Sequence, residues 1–350
     1  MARETDTETS EVLLLANPAA GGGAALRIAY RAVPVLAELG VAAEVVAPPS
    51  AADARPAVRE ALARCVGRGQ PPRTLVAVGG DGTVRLAAAI ARDLDLPLGI
   101  IPAGTGNGAA YSLGLPLDPW EACRVVAEGE PGPCDLGRVD FCDAQGRFLP
   151  EFFVNVAGAG LDAAISRVYQ TERPLLRGVP GYVVAALRSL VSFRAVPLAI
   201  EADGRREELE ALLVAVGNGA FYGKGLRIVP SADPSDGVLD VLAVLAAGPR
   251  ELSSLAARLL AGRHADHPKV RTFRARQVVI RVPPGPDGST PVVRPVPVHA
   301  DGDVIGVLPV RVSVVQRAIR LVQESGRRGS RRPRTELARP GAGKPSPGAM

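Results

Sequence analysis

The chain has 350 residues, 47% of them hydrophobic and 22% charged, which excludes a disordered protein and allows a large buried core. At roughly 100–200 residues per domain, this length favours two domains. The net charge of +5 comes from residues 325–350, whose seven Lys or Arg and one Glu carry +6 and leave −1 for the remainder. With 4% aromatic residues and no basic stripe before that segment, we do not expect a nucleic-acid-binding protein.

Both ends of the chain are predicted to be disordered, over residues 1–10 and 325–350. The second segment is a basic tail rich in Gly, Pro and Ser, which either solubilises the protein or attracts anionic lipid headgroups. The first ten residues lack the basic and apolar regions of a signal peptide, and no apolar run reaches the roughly 18–20 residues that span a bilayer. We therefore expect a cytoplasmic protein. Peripheral contact with the inner face of the membrane and homo-oligomer formation both stay open.

Residues 11–135 alternate short apolar runs with helical patterns. The predicted strands are 12–16, 41–47, 75–78 and 98–101, and the predicted helices are 24–39, 51–67 and 84–94. Such alternation is typical of a parallel sheet covered by helices. We therefore predict an α/β domain over this part of the chain.

Residues 136–316 contain mainly short β-rich runs separated by Gly, Pro and Asp turns. The predicted strands are 152–156, 197–201, 208–216, 238–244, 277–282, 292–299 and 307–315, and the predicted helices are 161–169, 182–193 and 250–260. This pattern indicates a second domain that is mainly an antiparallel β-sandwich. Residues 317–324 are predicted to form a short last helix that could pack back on the first domain.

Three Gly-rich turns each follow a predicted strand of the α/β domain and precede a predicted helix. In an open parallel sheet, such turns gather at the carboxyl ends of the strands, where ligands bind. Glycine lets backbone amides approach a polyanion, and a helix N-terminus adds partial positive charge. The turns therefore predict a phosphate site. Their candidate residues are Asn17, Pro18, Gly21, Gly79, Gly80, Asp81, Gly82, Thr83, Gly104, Thr105 and Asn107.

Asp81 lies between two glycines of the second turn, where its carboxylate would repel a phosphate. A Mg²⁺ ion between the carboxylate and the phosphate oxygens resolves this conflict. The chain has neither a G-x-x-x-x-G-K-[ST] motif nor a complete G-x-G-x-x-G motif. The turns therefore point to a nucleotide site of another kind.

The three turns resemble those of the diacylglycerol kinase catalytic-domain family, in particular soluble bacterial lipid kinases related to sphingosine and ceramide kinases. The Asn17-Pro18 pair followed by Gly21 is similar to the family's first nucleotide loop, and residues 79–83 (GGDGT) match its signature. Residues 104–107 (GTGN) distinguish this family from NAD kinases and phosphofructokinases. The resemblance also implies an α/β fold like that of these two kinase groups. The resemblance covers about residues 12–315 and implies ATP and Mg²⁺ as cofactors.

The same resemblance implies a structural magnesium site in the second domain. Residues 230–240 look like the family segment that ends in Asp-Gly-x-Leu, so the implied ligands are Asp233, Asp236 and the carbonyl of Val238. An ordinary hairpin turn has the same Ser-Asp-Gly pattern, and this alternative stays open.

Asp303 stands where the family carries the Glu that is its implied general base. Its side chain is one methylene shorter, and a misplacement of about 1 Å can cost on the order of 10²-fold in rate. A turn carboxylate without a catalytic role is the alternative. Arg85 and Leu86 stand where the family usually has Asn-Glu, Gly108 where it often has Asp, and Ala20 where Ser is common.

We therefore predict an ATP-dependent lipid kinase that transfers the γ-phosphate to a hydroxyl of a lipid of the diacylglycerol or sphingoid type at a membrane surface. In this prediction Asp81 organises the catalytic Mg²⁺, Asp303 accepts the proton, and the acceptor lies in the cleft between the domains. Two alternatives stay open: a nucleotide-binding protein of lipid-kinase fold with weak or no catalysis, and a kinase acting on a soluble acceptor such as NAD or a sugar phosphate.

Overall fold

The computed structural model describes residues 12–18, 20–67, 73–142, 147–161, 163–165, 194–223, 225–285 and 295–325. The N-terminal ten residues, most of the two predicted helices between residues 161 and 193, and the tail after residue 325 lie outside these described residues. No helix in the described part is long and apolar enough to cross a bilayer.

The first half of the chain is an α/β unit. Its elements are β1 (Val12–Ala16), α1 (Ala24–Glu38), β2 (Ala43–Val46), α2 (Ala51–Gly67), β3 (Thr74–Gly79), α3 (Asp81–Asp93), β4 (Pro97–Pro102), α4 (Gly108–Leu113) and α5 (Pro119–Glu128). The strands pair in parallel in the order β4-β3-β1-β2. Every residue of β1, β3 and β4 is buried, as expected for continuous apolar runs in a parallel sheet. The predicted α/β fold is confirmed.

Helices cover this parallel sheet on both faces. Leu13 and Leu15 pack in a core shared with α2 and α3, whereas Val12, Leu14 and Ala16 pack in a second core shared with α1 and α5. The side chains alternate because successive residues of a strand point to opposite faces. Because β1, β3 and β4 are parallel, the turns that follow them lie together at the carboxyl ends of these strands.

The second half is a mainly antiparallel sheet that closes on itself. Its elements are β5 (Glu130–Cys142), β6 (Phe148–Phe153), β7 (Val156–Gly160), β8 (Val196–Ala202), β9 (Arg205–Gly217), β10 (Phe221–Tyr222), β11 (Leu226–Arg227), β12 (Leu239–Leu245), α6 (Pro249–Leu260), β13 (Val270–Ala275), β14 (Gln277–Arg281), β15 (Pro297–Ala300) and β16 (Asp303–Gln323). Pairings run in a circuit from β16 through β14, β8, β9, β7 and β15 back to β16. Alternate side chains such as Val310 and Val312 fill its interior. The predicted antiparallel second domain is confirmed.

Two hairpins in the second half of the chain have the same dipeptide, Asp-Gly, as their turn. Asp203 and Gly204 join β8 to β9, and Asp301 and Gly302 join β15 to β16. The φ angles are 46° and 84° in the first turn and 47° and 92° in the second. Positive φ at both positions is typical of the two-residue hairpin turn that Asp-Gly favours.

The prediction of a short helix over residues 317–324 is wrong, because residues 317–323 are the end of strand β16. Arg320 and Leu321 pair in parallel with Pro97 and Leu98 of β4, and the same residues pair antiparallel with β5. An eight-residue segment carries too little periodicity to separate helix from strand. The strand forms because its backbone completes the edge of the parallel sheet. The segment does pack back on the first half, but as its fifth strand. β5 also crosses the predicted domain boundary after residue 135.

Candidate active site

The second and third Gly-rich turns are in direct contact. The Ala103 N–H donates to the Gly79 carbonyl over 2.9 Å, and a Cβ added to Gly104 would lie 2.3 Å from the Cα of Gly80. Only glycine allows this approach of two backbones. Both turns and the start of α3 therefore border the same space at the carboxyl ends of the parallel strands.

The candidate nucleotide residues have different positions around this space. Asn107 holds the third turn together, since its Oδ1 accepts from the Gly104 N–H over 2.9 Å and its backbone adopts a φ of 55°. Pro18 and Gly21 belong to the turn between β1 and α1, at the same edge. The candidates that line the central cavity are Asn17, Gly80, Gly82, Thr83, Gly104 and Thr105.

Asp81 is the first residue of α3 and links two of the turns. Its Oδ1 accepts from the Ala109 N–H over 2.8 Å, and a Cβ on Gly106 would lie 3.2 Å from its Oδ2. Burial raises the pKa of this carboxyl, the amides of Ala109 and Gly108 oppose the shift, and the negative charge of Asp303 adds to it. Asp81 is therefore a carboxylate that a nearby cation would stabilise.

Asp303 lies beside the GGDGT turn although 220 residues separate them in sequence. It is the first residue of β16, its side chain is 48% exposed, and its Oδ2 lies 3.4 Å from where a Cβ of Gly82 would be. The structure thus brings the predicted base to the predicted nucleotide turn. Arg85, for which the sequence pattern indicated no role, pairs with this carboxylate: its Nη2 is 2.8 Å from the same Oδ2.

Asp301 is a second residue whose role was not evident from the sequence pattern. Its carboxylate accepts from the N–H groups of Val154, Asn155 and Val156 over 2.8, 2.9 and 3.0 Å, which fixes the β15–β16 turn against the start of β7. Burial raises its pKa to about 6, against the effect of these amides and of Arg85. The signal available in the sequence was the Asp-Gly turn directly before Asp303.

A cavity of about 900 Å³ lies between the Gly-rich turns and the second half of the chain. This volume is within the range of sites for small ligands. Its lining residues come from both halves: Asn17, Ala51, Arg55, Gly80, Gly82, Thr83, Arg85, Leu86, Ala89, Arg92, Asp93, Gly104, Thr105, Arg138, Pro150, Glu151, Phe152 and Asp303. The Gly-rich turns form one wall, whereas arginines and carboxylates form much of the other. The cavity thus combines a surface suited to phosphate with a carboxylate at its rim.

Sequence comparisons agree with this arrangement. The profile of the diacylglycerol kinase catalytic domain matches residues 11–139, and that of the YegS C-terminal NAD kinase beta sandwich-like domain matches residues 155–323. A diacylglycerol kinase of Mycobacterium tuberculosis is 34% identical over 319 residues, which cover 90% of this chain and 96% of the relative. The chain belongs to the diacylglycerol kinase family. It is therefore a phosphotransferase of the lipid-kinase class, and this class implies use of a nucleotide.

Two further proteins are similar to this diacylglycerol kinase family member. A diacylglycerol kinase of Staphylococcus saprophyticus is 30% identical over 208 residues, which cover 59% of this chain and 65% of the relative. The fold resembles a crystal structure from Bacillus anthracis with a TM-score of 0.69 and 23% identity, covering 93% of this chain and 99% of the other. The second comparison supports the fold alone.

The predicted magnesium ligands of the second half lie in the loop before β12. Asp233 accepts from the backbone N–H and the hydroxyl of Ser235, and Asp236 accepts from the Val238 N–H and pairs with Arg274. Burial is the main cause that raises the pKa of Asp236. Among the described residues, no three His, Cys, Asp or Glu are grouped as metal ligands. A Mg²⁺ ion here would compete with the charge of Arg274, and this site stays a prediction.

Proposed function

We propose that the protein transfers the γ-phosphoryl group of ATP to the hydroxyl of a lipid of the diacylglycerol or sphingoid type. The observation that carries this proposal is the position of Asp303, a carboxylate from the second half, at the rim of the cavity that the Gly-rich turns line. Phosphoryl transfer requires mainly positioning and charge neutralisation, and these two walls supply both.

The wall that the Gly-rich turns form binds the phosphates in this proposal. Gly80 and Gly82 line the cavity without side chains that would keep a phosphate from the backbone, and the start of α3 adds partial positive charge. Thr83 and Thr105 of the same turns also line the cavity. In this proposal these turns and the start of α3 bind the triphosphate.

Asp81 fits the role of a Mg²⁺ ligand. Its carboxylate is a hard oxygen donor, and burial together with the charge of Asp303 leaves it in need of a positive neighbour. The chemistry that bound Mg²⁺ supplies is neutralisation of the phosphate charge. Asp81, whose Oδ1 accepts from the Ala109 N–H, would hold the ion beside the GGDGT turn.

Asp303 acts as the base. Its carboxylate takes the proton as the O–H bond of the lipid breaks, the lipid oxygen bonds to the γ-phosphorus, and the bond to the β-phosphate oxygen breaks to release ADP. A half-exposed position at the cavity rim is accessible to an acceptor that enters from outside.

We further propose that the acceptor is reached at a lipid surface through the start of β6. Phe148 is 67% exposed and Leu149 is also exposed, and the next three residues of the strand line the cavity. The substitution Phe148→Ser should weaken co-sedimentation with diacylglycerol-containing phosphatidylcholine vesicles about tenfold, since a buried Phe contributes roughly 1.5–3 kcal/mol. Tyr30→Ser, at a 60% exposed aromatic residue on α1, is the control. Equal binding by Phe148→Ser and the parental protein would contradict this contact.

The first experiment measures transfer of labelled phosphate from ATP, with Mg²⁺, to a panel of lipids in mixed micelles beside NAD and sugar phosphates. We expect one lipid class to be labelled and the Asp81→Asn variant to lose most of the turnover. Labelling of a soluble acceptor alone would replace the lipid proposal with the soluble-acceptor alternative. Absence of labelling with intact ATP binding by calorimetry would favour a nucleotide-binding module without catalysis.

A further inference from the structure

Arg85 of the α/β half contacts residues of the second half at the cavity. It lies on α3 four residues after Asp81, on the same face of the helix. Its Nη2 is 2.8 Å from Asp303 Oδ2, and its Nη1 is 3.0 Å from Glu151 Oε1. One guanidinium from the α/β half therefore binds two carboxylates from different strands of the second half.

The arginine is less exposed than either of its partners. Its side chain is 16% exposed, against 48% for Asp303 and 36% for Glu151. The Nε atom is buried and has no hydrogen-bond partner among the described residues, so the contacts to the two carboxylates are made by the Nη atoms. A planar guanidinium fixes two carboxylates in one geometry, which the point charge of a lysine does not.

The contact with Arg85 restrains the position of the Asp303 carboxylate. The Asp303 side chain is half exposed at the start of β16, and the ion pair limits the orientations that its carboxylate can take. With the contact, its Oδ2 lies over Gly82, within the GGDGT turn. We propose that Arg85 is a positioning residue, which holds the Asp303 carboxylate over the first turn of α3 and is itself fixed by Glu151. The catalytic consequence rests on the proposed function.

The kinetic test compares the parental full-length chain with Arg85→Met and Arg85→Lys. We expect Arg85→Met to lower kcat about 100-fold with KM for ATP nearly unchanged, because a base displaced by about 1 Å loses rate on this order. Arg85→Lys keeps the charge without the fork, and we expect an intermediate kcat. The matched control is Arg64→Met, which removes an arginine that also joins two carboxylates, Glu44 and Glu60, outside the cavity.

Two kinetic results would overturn the proposal. One is a parental kcat in Arg85→Met. The other is a loss confined to KM for ATP, which would make the arginine a nucleotide-binding residue instead.

A second measurement separates this proposal from the proposed function. In a double-mutant cycle of thermal unfolding with Arg85→Met and Asp303→Asn, we expect the Tm shifts to be non-additive, because each substitution removes the same ion pair. Additive shifts would show that the pair does not hold in solution and would overturn the proposal. If the parental protein labels no acceptor, the proposed function fails, and the cycle still decides whether Arg85 holds Asp303.

Discussion

The two Asp-Gly hairpins show how one local structure serves two purposes. Residues 202–205 read Ala-Asp-Gly-Arg and residues 300–303 read Ala-Asp-Gly-Asp, and both dipeptides turn with the same pair of positive φ angles. In each turn the Asp carboxylate accepts amides at the start of a neighbouring strand: Gln277 in the first turn and Val156 in the second. The local sequence therefore determines the turn, whereas the surroundings decide whether it forms part of a site.

The difference between the hairpins lies in the residue after Gly. Arg205 follows the first turn and is exposed, whereas Asp303 follows the second and lies at the cavity beside Gly82 and Arg85. The candidate base is thus the first residue of a strand. Its role depends on Gly82 and Arg85, which lie more than 200 positions away in the sequence.

The largest expected effect separates these two residues. Asp303→Asn keeps the size of the side chain and removes the proton acceptor, so we expect the transfer rate to fall on the order of 10²–10⁴-fold. Arg205→Gln, at the equivalent position of the other hairpin, should leave the rate unchanged. Initial rates in mixed micelles measure both, and a parental rate in Asp303→Asn would remove the base from the mechanism.

The next effect concerns the turn aspartates. Asp301→Ala leaves three partly buried amides without their acceptor and should cost about 1–3 kcal/mol of unfolding free energy. It should also lower the transfer rate, because Asp303 loses its support. Asp203→Ala affects an exposed turn where water replaces the carboxylate, so a smaller loss with no change in rate is expected. Urea denaturation and rate measurements test the pair, and equal effects on rate would contradict the assignment.

The pH dependence of stability gives a third, smaller contrast. Burial raises the pKa of Asp301 to about 6, with Arg85 lowering it and Asp81 raising it. A carboxyl whose pKa is higher in the folded state binds its proton more tightly there, so its contribution to stability is present at acid pH and lost as the pH rises through about 6. The difference in unfolding free energy between the parental protein and Asp301→Ala should therefore shrink from pH 5 to pH 7. A constant difference would show that Asp301 does not titrate in this range.

The smallest effect should be the same in both hairpins. Gly204 and Gly302 have positive φ, and a Cβ on either would meet no atom within 4 Å. Substitution by Ala should therefore cost only the backbone strain, roughly 1–2 kcal/mol at each site. Thermal unfolding of Gly204→Ala and Gly302→Ala measures this cost. A clearly larger loss at Gly302 would mean that the two turns are not equivalent.

Backbone-determined features were predictable from the sequence. The buried strands of the parallel sheet and the Gly-rich turns have strong local patterns, and Gly80 and Gly104 meet as the strand-turn-helix order predicts. Arg85 and Asp301 were not identified, because their partners are distant in sequence and ion pairs leave no local periodicity. The end of β16 was predicted as a helix because its pairing with β4 depends on the whole fold.

The late position of strand β16 in the chain also determines when the core of the α/β half can be completed during synthesis. Its last residues complete the edge of the parallel sheet, and Ile319 and Leu321 belong to the same core as Leu13 and Leu75. A nascent chain therefore finishes this core only after residue 321 has left the ribosome, although most of its residues are made first. The α/β half cannot reach its final packing ahead of the half that carries Asp303, so a chain that stops early lacks both the base and a closed first core.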